Sequence, residues 1–106
     1  MEYLNKIELK GVVGNVRINE FQGLKVANFS LVTKYDYQKK DGSIISENTW
    51  HNVVAWEGGE IDVEEVKKGA KLYIIGRLRC NRYTGADGVE KMIYEIIASY
   101  VREIEE

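Results

Sequence analysis

Trp50-His51-Asn52-Val53-Val54-Ala55-Trp56, then Ile61-Asp62-Val63-Glu64-Glu65-Val66-Lys67-Lys68-Gly69, then Lys71-Leu72-Tyr73-Ile74-Ile75-Gly76-Arg77-Leu78 form the stretch that decides the fold. The first part has the period of a strand: His51, Val53 and Ala55 take one face, and Trp50, Asn52, Val54 and Trp56 the other. The middle part carries helix-end signals. Asp62 can cap, Glu65 follows three residues on as in a capping box, and Ile61 with Val66 matches a hydrophobic staple. Lys67 and Lys68 suit the negative end of a helix and Gly69 can close it, so a short helix is expected over Val63–Lys68. The last part alternates again and predicts a strand over Lys71–Tyr83. Leu72, Ile74, Leu78 and Cys80 would face inward, and Arg77, Arg79, Asn81 and Tyr83 outward.

On the N-terminal side, the third strand begins near Ile45, after a hairpin tip at Asp41-Gly42. Before it, Val26–Tyr35 places Ala27, Phe29 and Leu31 on one face, preceded by a turn at Gln22-Gly23. The first strand spans about Lys6 to Val16. Its apolar phase moves by one residue, from Ile7 and Leu9 to Val12, Val16 and Ile18, with Gly11 at the change. A bulge there would let one long strand bend and serve both sides of a small barrel. On the C-terminal side, Thr84-Gly85-Ala86-Asp87-Gly88 makes a turn into a last strand over Lys91–Val101. That strand is apolar on both parities (Ile93, Ile97 and Val101 against Met92, Ile96 and Ala98), as expected if a second subunit covers its outer face. Five strands with a helix between the third and fourth predict an all-β OB-fold, a five-stranded Greek-key barrel whose usual ligands are oligonucleotides and oligosaccharides.

The 106 residues allow one domain, 1–106. The formal charge is −2, which by itself argues against a nucleic-acid partner. Its distribution matters more. Segments 57–65 and 103–106 hold eight of the 17 acids and no Lys or Arg, so the remainder sets 15 bases against nine acids and can present a basic face. No apolar run approaches the roughly 20 residues needed to span a bilayer. The N-terminus does not read as a secretion signal, and the single Cys80 excludes an internal disulfide, so a reducing cytoplasm is expected.

What projects outward is informative. Trp50 and Trp56 share a strand face roughly 20 Å apart, a spacing that suits several bases laid across a sheet. Tyr83, Arg77 and Arg79 share the outward face of the fourth strand. Tyr37, Lys39 and Lys40 sit near the first hairpin tip with Lys34 before them, and Arg82 and Lys91 flank the second. Aromatic rings let unpaired bases stack whatever their identity, and interleaved cations neutralise phosphates. The expected site is therefore Tyr37, Trp50, Trp56 and Tyr83 for stacking, with Lys34, Lys39, Lys40, Arg77, Arg79, Arg82 and Lys91 for phosphate, converging on one side and its hairpins. Catalysis is not expected. His51 and Cys80 fall on inward parity as packed residues, one His and one Cys cannot make a standard zinc site, and there is no phosphate-binding loop or nucleophile elbow. No cofactor or metal is expected.

Four blocks in order resemble bacterial single-stranded-DNA-binding (SSB) proteins: Asn5-Lys6-Ile7-Glu8-Leu9-Lys10-Gly11, Val26-Ala27-Asn28-Phe29-Ser30-Leu31-Val32-Thr33, Trp50-His51-Asn52-Val53-Val54, and Lys68-Gly69-Ala70-Lys71-Leu72-Tyr73-Ile74-Ile75-Gly76-Arg77-Leu78-Arg79. The resemblance covers about Asn5 to Val101. It implies an OB-fold subunit, usually homotetrameric, with single-stranded DNA wrapped around it in replication, recombination and repair. The family's stacking aromatics carry over onto Tyr37, Trp50, Trp56 and Tyr83. Many relatives have Trp in place of Tyr37 and Tyr83 and Phe in place of Trp56. SSB proteins continue into an acidic, enzyme-recruiting tail that the segment ending in Glu106 lacks, so a tail-less domain is expected and recruitment of replication and repair enzymes is not inferred. The alternatives are a dimeric, primosome-associated relative and an OB-fold protein- or carbohydrate-binding module.

Overall fold

The computed structural model describes residues 1–105 and consists almost entirely of sheet. Five strands, β1 (Ile7–Phe21), β2 (Leu24–Gln38), β3 (Ile44–Trp56), β4 (Lys71–Thr84) and β5 (Glu90–Glu103), close into a barrel in the order β1-β2-β3-β5-β4. Neighbours run antiparallel except β3 and β5, which meet in parallel at only Val53↔Ile96 and Val54↔Ile97. Inward alternation builds the core. Ala27 and Leu31 of β2, Val53 and Ala55 of β3, Leu72 and Ile74 of β4, and Val101 of β5 are sealed from solvent.

One long first strand does serve two neighbours. Residues 7–12 pair with β4, residues 12–21 pair with β2, and Val12 belongs to both ladders. The bulge that allows this lies at Gly14-Asn15, opposite Ser30, and not at Gly11 as expected. Val13 is therefore the core residue and Val12 is exposed. Gly11 has a different duty: a Cβ there would sit 2.2 Å from the Val32 carbonyl oxygen, so only glycine lets β1 cross β2 this closely. The Gln22-Gly23 turn has positive φ at both residues (52° and 82°), the geometry that matches the twist of a two-residue hairpin.

The expected helix is shorter than its signals suggested. It is a 3-10 turn, Val63–Glu65, and Val66 is already extended. Asp62 does cap, its carboxylate accepting from the Glu64 N–H at 3.0 Å, but Glu65 does not return to the cap: its carboxylate accepts from the Glu103 N–H. Tertiary packing prevails here, because Ile61, Val63 and Val66 must all be buried as part of the core, and a continued α-helix would turn one away.

β4 and β5 run well past the barrel, as do β2 and β3. The radius of gyration is 16.2 Å, against about 13 Å for a compact chain of this length, and the excess is in these hairpin arms. This corrects two inward assignments. Leu78 is 42% exposed and Cys80 is exposed: the last β3–β5 pairing, at Ile96, lies level with Leu78, and past it the β4–β5 arm continues alone. A second bulge, at Ser99, switches the parity of β5, so Ile96, Ala98 and Val101 all reach the core, while Met92 and Ile93 are exposed on the arm.

Candidate nucleic-acid interface

The outer face of β1, β2 and β3 is where the two tryptophans emerge. Register sets Trp50 opposite Val32 and Trp56 opposite Val26. Both rings are accessible, Trp50 at 60% and Trp56 at 41%, although their strand neighbours Val53 and Ala55 are buried. Trp50 leans diagonally across β2 onto β1. A Cβ at Gly14 would lie 2.6 Å from the far edge of its indole, so the bulge glycine is the seat on which that ring rests. Between the indoles along β3 lies an open groove of about 330 Å³, its polar lining supplied by Asn15, Arg17, Asn28, Ser30 and Asn52. Arg17 stands opposite Asn28, Ser30 stands opposite Asn52, and the Asn15 N–H donates to the Ser30 hydroxyl at 2.9 Å. The residues of this groove become a cluster only once the bulge and cross-strand register are known.

The remaining expected site residues divide. Lys34 shares the tryptophan face of the β2–β3 ribbon, opposite Asn48. Tyr37 lies on the other face of that ribbon, since it differs in parity from Val32 with no bulge between them. It is 39% exposed, and its ring lies 6.2 Å from that of Tyr35, an exposed aromatic that sequence reasoning passed over. Tyr83 is 44% exposed on the second arm, on the same face as Arg77 and Arg79. The four rings therefore do not share one flat side. They ring the arms and the barrel face between them, and a strand touching all of them must wrap.

The cations divide too. Arg79 is committed within the protein: its guanidinium donates to the Glu95 carboxylate at 2.6 and 3.1 Å, and Asn81 donates to the same oxygen. Arg82 has only an exposed 3.7 Å pairing with Glu90, of the kind that solvent largely screens. Lys34, Lys39, Lys40, Arg77 and Lys91 have no ion pair among the described residues. At the first hairpin tip, hydrogen bonds from the Ser43 hydroxyl and N–H hold the Asp41 carboxyl below the usual carboxylate range. His51 is half-buried beside Thr33, whose hydroxyl is 2.9 Å from Nε2, and burial pushes its pKa down. Among the described residues no group of three metal-ligating side chains comes together, and no helix is long and apolar enough to cross a membrane.

A barrel with this strand order and exposed indoles has relatives. The model of the single-strand binding protein family matches residues 4–104. The chain belongs to that family. The single-stranded DNA-binding protein of Xanthomonas axonopodis pv. citri is 36% identical over 99 residues, and that of Rickettsia felis is 37% identical over 100. The matches cover 91% and 89% of this chain but only 55% and 65% of those proteins, so this single-strand-binding-family barrel corresponds to a little over half the length of its curated relatives. Among solved structures, the Plasmodium falciparum SSB in complex with ssDNA is similar with a TM-score of 0.84 and 31% identity, over 99% of this chain and 98% of that one. The Thermus aquaticus single-stranded DNA binding protein, at 20% identity and a TM-score of 0.76, shares the fold over 96% of this chain and 51% of its own.

Proposed function

We propose that this barrel binds single-stranded DNA non-enzymatically and irrespective of broad sequence context, in replication, recombination and repair within the bacterial cytoplasm. Bases stack on Trp50, Trp56, Tyr37 and Tyr83, while Lys34, Lys39, Lys40, Arg77, Arg82 and Lys91 neutralise phosphates. Arg79 serves the arm instead, through Glu95. The observation that carries this reading is the exposure of both indoles on one face of β3 beside an open groove. Core packing does not account for a tryptophan that is more than half accessible, and family membership supplies the ligand class. The alternative of a module that binds protein or carbohydrate has no cation arrangement in its favour.

A titration with oligo-dT, followed by tryptophan emission at several salt concentrations, tests the proposal. Emission should be quenched, and log K should fall with log salt by about 0.7 per phosphate neutralised. Lys34→Ala and Lys40→Ala should each flatten that slope by about 0.7, whereas Arg79→Ala should leave it nearly unchanged because its charge is already matched. Unquenched emission would favour the protein- or carbohydrate-binding reading.

We also read the chain as a homo-oligomer, with the tetramer as the expected form. What supports this is apolar surface on β5 and its partner strand that no part of the chain covers: Leu78, Met92, Ile93 and Tyr94 are 42%, 52%, 41% and 55% exposed. A lone two-stranded arm carrying such residues is marginal in water, and a second copy would cover it. Sedimentation at micromolar concentration should give a multiple of the 12.2 kDa chain mass. A monomer would overturn the assembly reading, and a dimer would favour the primosome-associated alternative.

A further inference from the structure

The groove between the indoles is built from residues that strands disfavour. Asparagine is depleted in sheets because its amide competes with the backbone ladder, yet Asn15, Asn28 and Asn52 occupy three successive strands on one face. None of these three amides, nor the Arg17 guanidinium, has a hydrogen-bond or ion-pair partner among the described residues. Two of the other asparagines are employed structurally: the Asn5 amide clamps the Leu78 backbone at 2.7 and 2.9 Å, and Asn81 holds Glu95, while Asn19 and Asn48 stand singly outside the groove. The groove asparagines contribute nothing comparable to the fold, which leaves their amides for a ligand.

The chemistry of the lining narrows that ligand. A phosphate presents acceptors alone and would leave three amide oxygens idle beside it. A nucleobase edge presents donors and acceptors together, as the lining does. Resting on the single-stranded DNA reading above, the geometry points to a slot that takes one base of the bound strand and reads its edge, favouring guanine over thymine. Arg17 is a donor-only fork that matches the adjacent O6 and N7 acceptors of guanine. The amide oxygens of Asn28 and Asn52 are placed on neighbouring strands to accept from the guanine N1–H and N2–H groups. Thymine separates its two carbonyls by an N–H and gives the fork no acceptor pair. Adenine sets an amino group beside N7, donor against donor. Cytosine offers the N3 and O2 acceptors but a single amino group, and ranks between. The barrel would thus hold most of the strand without regard to sequence and sense base identity at one place.

The test uses a set of dT oligomers carrying one guanine, moved along the strand, and compares each with all-dT at fixed salt. The best-placed guanine should tighten binding about fivefold. Adenine or 7-deazaguanine at that place, which stack as purines but lack the acceptor pair, should return the affinity to the all-dT value. In the exposed Arg17→Lys variant, which keeps the cation and loses the fork, the ratio of guanine-bearing to all-dT affinity should fall to about one. The inference is overturned if no position of guanine tightens binding, or if the gain survives 7-deazaguanine or Arg17→Lys, since stacking would then be its source. Failure of all-dT itself to bind is a separate outcome that removes the single-stranded DNA reading and this inference with it.

Discussion

Removing both indoles, Trp50→Ala together with Trp56→Ala, is expected to weaken oligo-dT binding by about 2–6 kcal/mol, at least roughly 30-fold, while the barrel stays folded. The magnitude rests on about 1–3 kcal/mol per stacked base, a range borrowed from single-strand binders of this class and not obtained from this chain. The two rings stand six residues apart on one strand, with separate neighbours, so their losses should add. Fold retention follows from exposure: the side chains are 60% and 41% accessible, and neither belongs to the buried cluster. Far-ultraviolet circular dichroism should therefore match the parent, and equilibrium titration should show the loss. A variant that binds oligo-dT as the parent does would remove stacking on β3 from the mechanism. One that unfolds would show that the rings support the barrel.

The second large effect belongs to stability. Gly11→Ala places a methyl group 2.2 Å from the Val32 carbonyl oxygen, in a position where the obstacle is backbone and not the end of a flexible side chain. Relief requires β1 and β2 to separate where β1 changes partners, so the cost should lie at the upper end of overpacking, about 3 kcal/mol. For a domain of this size that corresponds to a melting temperature lower by about 12–24 °C. Thermal unfolding measures it directly. A shift of only a degree or two would show that the crossing is looser than the glycine implies. Gly14 differs in kind, because there the neighbour is the Trp50 ring and a methyl group would displace the indole before it strained the strand.

Much of this was legible in the chain itself, for a physical reason. A two-residue period leaves little freedom in a strand that is half buried, so Ala27, Phe29, Leu31, Val53, Ala55, Leu72 and Ile74 could be assigned to the interior from spacing alone, and the structure buries them all. Alternation cannot say where the covering layer stops. Leu78 and Cys80 continue the inward parity of Ile74, yet they lie where the β4–β5 arm leaves the barrel and are exposed. Bulges are similarly hard to place, since a displacement of three residues, from Gly11 to Gly14, leaves the composition of the segment unchanged while exchanging the roles of Val12 and Val13. Tyr37 is placed near a hairpin tip by spacing alone; the register adds that it shares parity with Leu31 and so lies on the other face of the ribbon from Trp50. Outward parity alone groups Arg79 with the phosphate ligands, and only the β4–β5 register brings Glu95, 16 residues away, beside it.

The parallel contact that joins β3 to β5 has mechanical meaning. Between β3 and β5 themselves the described residues form two rungs, with one more parallel bridge from Glu60 to Tyr100 just past the end of β3, whereas every other junction is a ladder of at least six pairs. Fluctuations that open a protein locally begin where fewest backbone bonds must break, so amides along this seam are expected to exchange before those of the other junctions. The arms on either side of it carry Trp50 and Tyr83. A polynucleotide laid from one to the other would act as a clasp over the least secure closure, lending the occupied protein a rigidity that the empty one lacks.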